Sequence, residues 1–252
     1  MGSDRPTALV IRTAGINCDA ELVRAFELAG ARAELVHVRR LMEDPGALDR
    51  ADLVGLPGGF SHGDDIAAGR AMSVLVERHL RGRLEAAVGR GVPVIGICNG
   101  FQVLVQTGLL PGGDLGRSLA LDVNTGGRFM DRWVGMEVSN AERSVWTKDL
   151  PAGGFEYPVA HGEGRLVASN EGVLGAIENS GAVLRYAEDI NGSVGNVAGL
   201  SDPTGLVFGL MPHPERFVTW RHHPTGAGSA EQTPGLAMFR SAVDHVVAAA
   251  VA

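Results

Sequence analysis

The chain has 252 residues, and a hydrophobic fraction of 45% with 36 glycines suits an α/β protein with many tight turns. Its net charge of -7 argues against broad nucleic-acid binding. The polar N-terminus does not resemble a signal peptide, and the apolar tail at 246–252 is too short to span a membrane. The two cysteines, Cys18 and Cys98, are too few for a disulfide framework. We therefore expect one cytoplasmic domain over residues 1–252.

Lysine is almost absent from the chain. Lys148 is the only lysine, and the other 21 basic residues are arginines. A Walker-type phosphate loop needs a lysine followed by serine or threonine, and no such pair occurs. If the reaction needs ATP, another chain should bind it.

The first half of the chain alternates short apolar runs with helical patterns. Strands are predicted at residues 8–11, 34–38, 52–56 and 92–97, and helices at 19–29, 72–90 and 101–107. This alternation predicts a three-layer, doubly wound, mostly parallel sheet.

The second half has a different rhythm. Residues 118–167 show period-two segments, which predict a small antiparallel sheet packed beside the main sheet. Further strands are expected at 182–186, 194–200 and 205–210, a surface loop at 220–234, and a last helix at 235–251.

Cys98 follows the strand at 92–97 and precedes a helix. A tight strand-to-helix turn raises a nucleophile above the carboxyl edge of a sheet, and Gly96 and Gly100 leave room for that turn. The positive end of the helix dipole favours thiolate. A buried structural cysteine remains an equal alternative on position alone.

A cysteine nucleophile needs a base and a group that orients the base. His213 directly follows an apolar run and is flanked by two prolines, which restrict its backbone. Glu215 can accept from one ring nitrogen and leave the other free for the thiol. The alternative is a proline-rich surface turn. The remaining histidines lie in predicted elements (37, 79, 245), in the polar loop (222, 223), or after turns, where His62 and His161 stay possible binders.

A third component is the P-G-G turn at residues 57–59, after the third strand. Attack on an amide develops an oxyanion, which backbone N–H groups stabilise. The N–H groups near Gly59 and of Asn99 are the candidates.

Together these segments resemble the triad-type, or class I, glutamine amidotransferases. Five runs narrow the resemblance to the glutaminase subunits of phosphoribosylformylglycinamidine synthase. They are G-I-C-N-G-F-Q at 96–102, R-F-x-x-R-W-V at 128–134, A-H-G-E-G-R at 160–165, N-G-S at 191–193 and G-L-M-P-H-P-E-R at 209–216.

The resemblance implies a catalytic triad of Cys98, His213 and Glu215, with Gln102 contacting L-glutamine and the His161–Gly162 segment near its amino-acid end. It implies that glutamine is hydrolysed to glutamate and ammonia. A separate synthetase subunit would use the ammonia, with ATP and magnesium bound there, and a small third subunit would complete the complex. No cofactor or metal is expected in this chain.

Two segments depart from that family. Residues 61–65 read S-H-G-D-D where the family has S-Y-G-D-Y, and Ala14-Gly15 replaces a usual Pro-Gly before Asn17 and Cys18. We interpret Cys18 as structural. The rival functions are an amidotransferase serving GMP, CTP or carbamoyl phosphate synthesis, and a non-catalytic module with an elbow cysteine.

Overall fold

A computed structural model describes residues 5–64, 67–226 and 231–251. Its strands are β1 (Thr7–Arg12), β2 (Arg32–His37), β3 (Leu53–Leu56), β4 (Val94–Ile97), β5 (Leu119–Asp122), β6 (Met130–Ser139), β7 (Phe155–His161), β8 (Arg165–Ala168), β9 (Val183–Tyr186), β10 (Val197–Ser201) and β11 (Val207–Leu210). Its α-helices are α1 (Asp19–Ala29), α2 (Val38–Glu43), α3 (Gly46–Asp49), α4 (Arg70–Leu75), α5 (Arg81–Gly89), α6 (Asn99–Gln106), α7 (Glu171–Ser180) and α8 (Pro234–Val251).

One half of the main sheet is parallel. The strand order is β2-β1-β3-β4-β11-β10-β9-β6-β7, and the first four pairings in that order are parallel. Strands β3, β4 and β11 are buried at every position, which is typical of strands covered on both faces. Their carboxyl ends lie at one edge of the sheet, where ligands bind in doubly wound folds.

Helices cover both faces of this parallel half. A Cβ placed on Gly55 would lie 2.8 Å from Leu22 of α1, whereas a Cβ on Gly100 of α6 would lie 2.9 Å from the Cβ of Leu56. Successive residues of a strand point to opposite faces, so α1 and α6 lie on opposite sides of β3. The three-layer α/β architecture is confirmed.

The other half of the sheet is antiparallel. Strand β10 pairs with β11 and β9, and β6 pairs with β9 and β7. The segments expected beside the main sheet therefore divide: β6 and β7 extend that sheet, and β5 and β8 form the separate two-stranded sheet. A period-two pattern predicts a strand but does not select its partner, because pairing is a long-range choice.

The predicted helices are present, but one of them is divided in two, and α2, α3 and α7 were not predicted. Helix α1 has its predicted bounds and ends at Gly30, whose φ of 108° suits glycine. The single helix expected at 72–90 is α4 and α5 joined by a π-helical segment, Val76–Leu80. Helix α7 was not predicted, although the Asn170 side chain caps it by accepting from the Gly172 N–H. Within the described ranges, every helix is too short or too polar to cross a membrane.

Candidate active site

Cys98 occupies a strained turn between β4 and α6. Its φ of 52° and ψ of -106° are unusual for a residue with a side chain, as expected for a nucleophile on a strand-to-helix elbow. The Cys98 N–H donates to the Leu210 carbonyl at 2.8 Å, which ties the turn to β11. A Cβ on Gly100 would lie 2.0 Å from the Leu56 carbonyl oxygen, so glycine is required there.

His213 and Glu215 follow β11 and form a buried pair. His213 Nδ1 lies 2.6 Å from Glu215 Oε1, and the two side chains are 2% and 0% exposed. The His213 N–H donates to the Pro158 carbonyl at 2.8 Å, which fixes the backbone against β7. Among the described residues, His213 Nε2 and Glu215 Oε2 have no hydrogen-bond partner. The ring is therefore oriented by the carboxylate and keeps its second nitrogen available.

The imidazole and the nucleophile meet beside Gly58. A Cβ on Gly58 would lie 2.8 Å from His213 Cε1 and 3.3 Å from Cys98 Cβ, so a bare backbone is needed between them. Burial lowers the pKa of His213, but the charge of Glu215 and the nearby thiols of Cys18 and Cys98 outweigh it, and the net pKa is well above its ordinary value. The three predicted triad residues thus come together at the sheet edge.

A second thiol stands at the same place. Cys18 precedes α1, and its sulfur would lie 3.2 Å from that same Cβ on Gly58. Arg216 Nη2 donates to the sulfur at 3.1 Å. Burial raises the pKa of the Cys18 thiol, with His213 acting in the opposite direction. The interpretation of Cys18 as structural is incomplete, because spacing along the chain does not show that the β1 and β11 loops meet.

The predicted oxyanion turn is held by the loop that follows β1. Gly58 accepts from the Cys18 N–H at 3.2 Å, and the Phe60 N–H donates to Gly15 at 3.0 Å. Gly59 has a φ of 141°, which favours glycine. Asn99 is the first residue of α6, where N–H groups have no partner within the helix. Gly59 lines the same cavities as Cys98, and Asn99 follows Cys98 in the chain, so both candidate N–H groups belong to residues near the nucleophile.

Two adjoining cavities reach Cys98. The first, about 210 Å³ and named here the histidine-side cavity, is lined by Asn17, Cys18, Asp131, His213 and Arg216. The second, about 190 Å³ and named the amide-side cavity, is lined by Asp64, Ala68, Gln102, His161, Gly162 and Glu163. Both also touch Gly59, Phe60, Cys98, Phe129 and Ala160.

Gln102 fixes one wall of the amide-side cavity. Its Nε2 donates to the Glu163 carbonyl at 2.6 Å, and its Oε1 accepts from Asn99 Nδ2 at 3.1 Å. Gln102 was predicted to contact substrate. It lines the cavity, and its amide also ties the first turn of α6 to the loop between β7 and β8.

His161 is buried behind this wall. Its Nδ1 lies 3.1 Å from Asn124 Oδ1 and its Nε2 lies 3.4 Å from the Tyr186 hydroxyl. Burial lowers the pKa of His161 to about 4, and the charge of His213 adds to this effect. His161 is therefore neutral at physiological pH, and Gly162 and Glu163 are the half-buried residues of the segment.

Asn124 is the residue that sequence reasoning missed. Its Oδ1 accepts from the Gly164 N–H at 3.2 Å, and its Nδ2 donates to the His161 carbonyl at 2.8 Å and to the Arg128 carbonyl at 3.1 Å. Its own N–H donates to Gly162. The side chain thus holds the segment 161–164 from behind. In the sequence, Asn124 lies in a stretch rich in turn residues, which predicts a loop but no contact with the segment 161–164.

A family model for the CobB/CobQ-like glutamine amidotransferase domain matches residues 5–246. The phosphoribosylformylglycinamidine synthase subunit PurQ of Dehalococcoides mccartyi is 39% identical over 249 residues, covering 93% of this chain and 95% of that protein. The PurQ subunit of Pyrobaculum aerophilum is 42% identical over 229 residues, covering 90% and 95%. The chain belongs to the PurQ family of glutamine amidotransferases.

Solved structures agree with this assignment. A chain of the PurLQS structure from Thermotoga maritima matches with a TM-score of 0.75 and 33% identity, covering 96% of this amidotransferase and 99% of that chain. The Trypanosoma brucei CTPS glutaminase domain with bound acivicin matches with a TM-score of 0.59 at 16% identity, covering 96% and 94%. The latter shows a shared fold alone.

The other predicted features of this amidotransferase lie around the site. His62 was a possible binder; its Nε2 lies 3.0 Å from the Thr13 hydroxyl, in the turn beside the oxyanion segment. In the R-F-x-x-R-W-V run, Phe129 reaches both cavities, and Trp133 packs edge-on against Phe217 at 4.9 Å. Asp65, part of a departure from the family pattern, lies outside the described residues.

Proposed function

We propose that this chain is the ammonia-producing subunit of a phosphoribosylformylglycinamidine synthase. The observation that carries the proposal is the buried Cys98, His213 and Glu215 constellation in a chain of the PurQ family. The reaction hydrolyses L-glutamine, and the released ammonia converts formylglycinamide ribonucleotide to its amidine on a synthetase subunit in purine synthesis.

The first half-reaction is acyl transfer to sulfur. His213 accepts the Cys98 proton while the sulfur attacks the side-chain amide carbon of glutamine. The oxyanion that forms lies against the N–H groups near Gly59 and of Asn99. His213 then returns the proton to the leaving nitrogen, ammonia departs, and a γ-glutamyl thioester remains on Cys98.

The second half-reaction is hydrolysis. A water molecule in the histidine-side cavity gives a proton to His213 and attacks the thioester carbon. The carbon–sulfur bond breaks, glutamate leaves, and the thiol of Cys98 recovers its proton. Glu215 accepts from His213 Nδ1 throughout and keeps the imidazole in one orientation. The amide-side cavity holds the amino-acid end of glutamine, beside Gln102 and the 162–163 segment.

The proposal places ATP and magnesium on the synthetase subunit, with no cofactor in this chain and a small third subunit in the complex. The solved Thermotoga maritima structure that contains the matching chain is that of PurLQS. An exposed aromatic pair supports a partner at the mouth of the site. Phe60 and Phe129 are 45% and 54% exposed, with ring centroids 6.4 Å apart, and both line the two cavities. We expect the synthetase subunit to cover them.

The decisive experiment mixes the purified chain with the synthetase and small subunits of the same organism, ATP, magnesium and formylglycinamide ribonucleotide. Glutamine-dependent amidine formation is the expected result. Ammonium-dependent formation by the synthetase alone is the control that proves the partner active. An active partner with no response to glutamine would contradict the proposal. A glutamine-mimicking alkylator adds a second readout, since a non-catalytic module would show no selective labelling of Cys98.

A further inference from the structure

Cys18 lies with His213 and Glu215 in a compact set of metal-ligating atoms, and Cys18 is the member that the glutaminase reaction does not use. One ligand atom from each residue lies within 4.8 Å of the other two, and all three residues are buried. Cys18 comes from the start of α1 and the pair from the loop after β11, so the fold alone brings them together.

Two observations point to a ligand for this set. Glu215 Oε2 is buried and has no hydrogen-bond partner in the described part of the chain, and the triad leaves it unused because Oε1 is the oxygen that holds the imidazole. Cys18 and His213 also line the histidine-side cavity, which gives a small ion a route from solvent. Buried polar atoms are normally hydrogen-bonded, so an unpaired carboxylate oxygen beside a thiol marks a place where a cation can find ligands.

The chemistry of the donors suits zinc. One sulfur, one imidazole nitrogen and one carboxylate oxygen are its usual ligands, at about 2.0–2.3 Å, and three protein ligands leave a fourth position for water. As a thiolate and a carboxylate, Cys18 and Glu215 supply two negative charges for a divalent cation. Arg216 opposes binding through its guanidinium 3.1 Å from the sulfur, but that group also faces Glu21 at 3.7 Å.

We propose that this cluster is an inhibitory zinc site, in which Zn²⁺ binds Cys18 Sγ, an imidazole nitrogen of His213 and a carboxylate oxygen of Glu215. The Cys18 thiol and the imidazole release their protons to solvent as the metal binds. The bound ion occupies the base and its orienting carboxylate, so proton transfer to and from Cys98 stops. Removal of the ion by a chelator restores it.

The test measures zinc binding to the purified, metal-free full chain by calorimetry, for wild type, Cys18→Ser and Cys98→Ser. The chain contains two cysteines, so each variant leaves a single thiol. We expect one ion per chain for wild type and Cys98→Ser, and an affinity lower by about tenfold or more for Cys18→Ser. Cobalt substitution should give a thiolate-to-metal absorption band in Cys98→Ser and none in Cys18→Ser.

Equal zinc affinity of wild type and Cys18→Ser, or no binding by wild type, would overturn the proposal. If Cys18→Ser does not fold, a second measurement that leaves Cys18 unchanged still tests the site. In the Cys98→Ser chain, zinc should slow alkylation of Cys18, and an unchanged rate counts against the site. Binding is measured without substrate, so its outcome is independent of the proposed reaction. Inhibition is then read as zinc-dependent, chelator-reversible loss of glutaminase activity in the wild-type complex.

Discussion

The two cavities beside Cys98 are built in opposite ways. The histidine-side cavity lies beside loops at the carboxyl ends of parallel strands, and His213, which lines it, has a ring nitrogen, Nε2, with no hydrogen-bond partner among the described residues. The wall of the amide-side cavity is formed by a network in which Asn124, Gln102 and His161 are hydrogen-bonded to backbone and side chains.

This difference assigns different tasks to the two sides. Unpaired buried atoms cost free energy, and they persist where a reaction needs a nitrogen that can gain and lose a proton. Satisfied amides cannot take part in proton transfer, but they hold a wall in one position, as substrate recognition requires. The comparison predicts that changes on the histidine side lower kcat, whereas changes on the amide side raise KM or lower stability.

The largest effect is expected for Cys98→Ala in the assembled complex. Loss of the nucleophile should reduce glutamine-dependent amidine formation by about 10⁵-fold or more, as for other nucleophile deletions. Ammonium-dependent synthesis should be retained, since only the ammonia source is removed. Both rates are measured on the same preparation, and an equal loss of the two would show that this chain has another part in the synthesis.

Glu215→Gln is expected to lower kcat by roughly 10³–10⁴-fold with the fold intact, because an amide does not hold the imidazole in its reactive orientation. Removing the negative charge should also lower the pKa of His213, since that charge raises it. Steady-state kinetics and NMR titration of the ring are the measurements. An unchanged kcat would mean that another group orients His213.

Asn124→Ala tests the amide side. The wall at 161–164 loses its support, so the KM for glutamine should rise about tenfold, or ~1.4 kcal/mol, with a smaller change in kcat. The matched control is Asn179→Ala, on the exposed face of α7, which should leave both constants unchanged. A fall in kcat at constant KM in Asn124→Ala would contradict the division of tasks.

His161→Asn is expected to have the smallest effect on the kinetic constants, and its effect is seen in the dependence of stability on pH. The folded-state pKa of about 4 lies below the ordinary 6.5, so the unfolded chain binds the proton first as pH falls. Stability from the neutral ring is thus present above pH 6.5 and is lost between pH 6.5 and 4, by roughly 3 kcal/mol. The asparagine side chain keeps a hydrogen-bond donor near the position of His161 Nδ1, but it does not take up a proton between pH 6.5 and 4.

Denaturant unfolding at pH 7 and pH 4 measures this difference, with the exposed His222→Asn as control. The stability gap between wild type and His161→Asn should shrink at pH 4. A gap that stays constant with pH would show that His161 does not titrate between these values.

Much of the parallel half could be predicted from the chain. Apolar runs that end in Cys98, in the P-G-G turn and in His213 mark strands by composition, and parallel strands place their carboxyl ends at one edge. The antiparallel half was harder, because the period-two pattern of Met130–Ser139 does not state that this strand pairs with both β7 and β9. Helix α7 was missed, although its buried residues Val173 and Ile177 stand four positions apart, as on one face of a helix.

The sequence by itself predicted the nucleophile, its base and its orienting carboxylate, since their chemistry and spacing are local: an elbow after a strand, and a histidine between two prolines with a glutamate directly after them. Only the tertiary structure decided that Cys18 lies against the same imidazole and that Asn124 supports the wall at 161–164. Those contacts join segments far apart in the chain, and hydrogen bonds and ligand distances of this kind depend on how the loops pack, which no local pattern records.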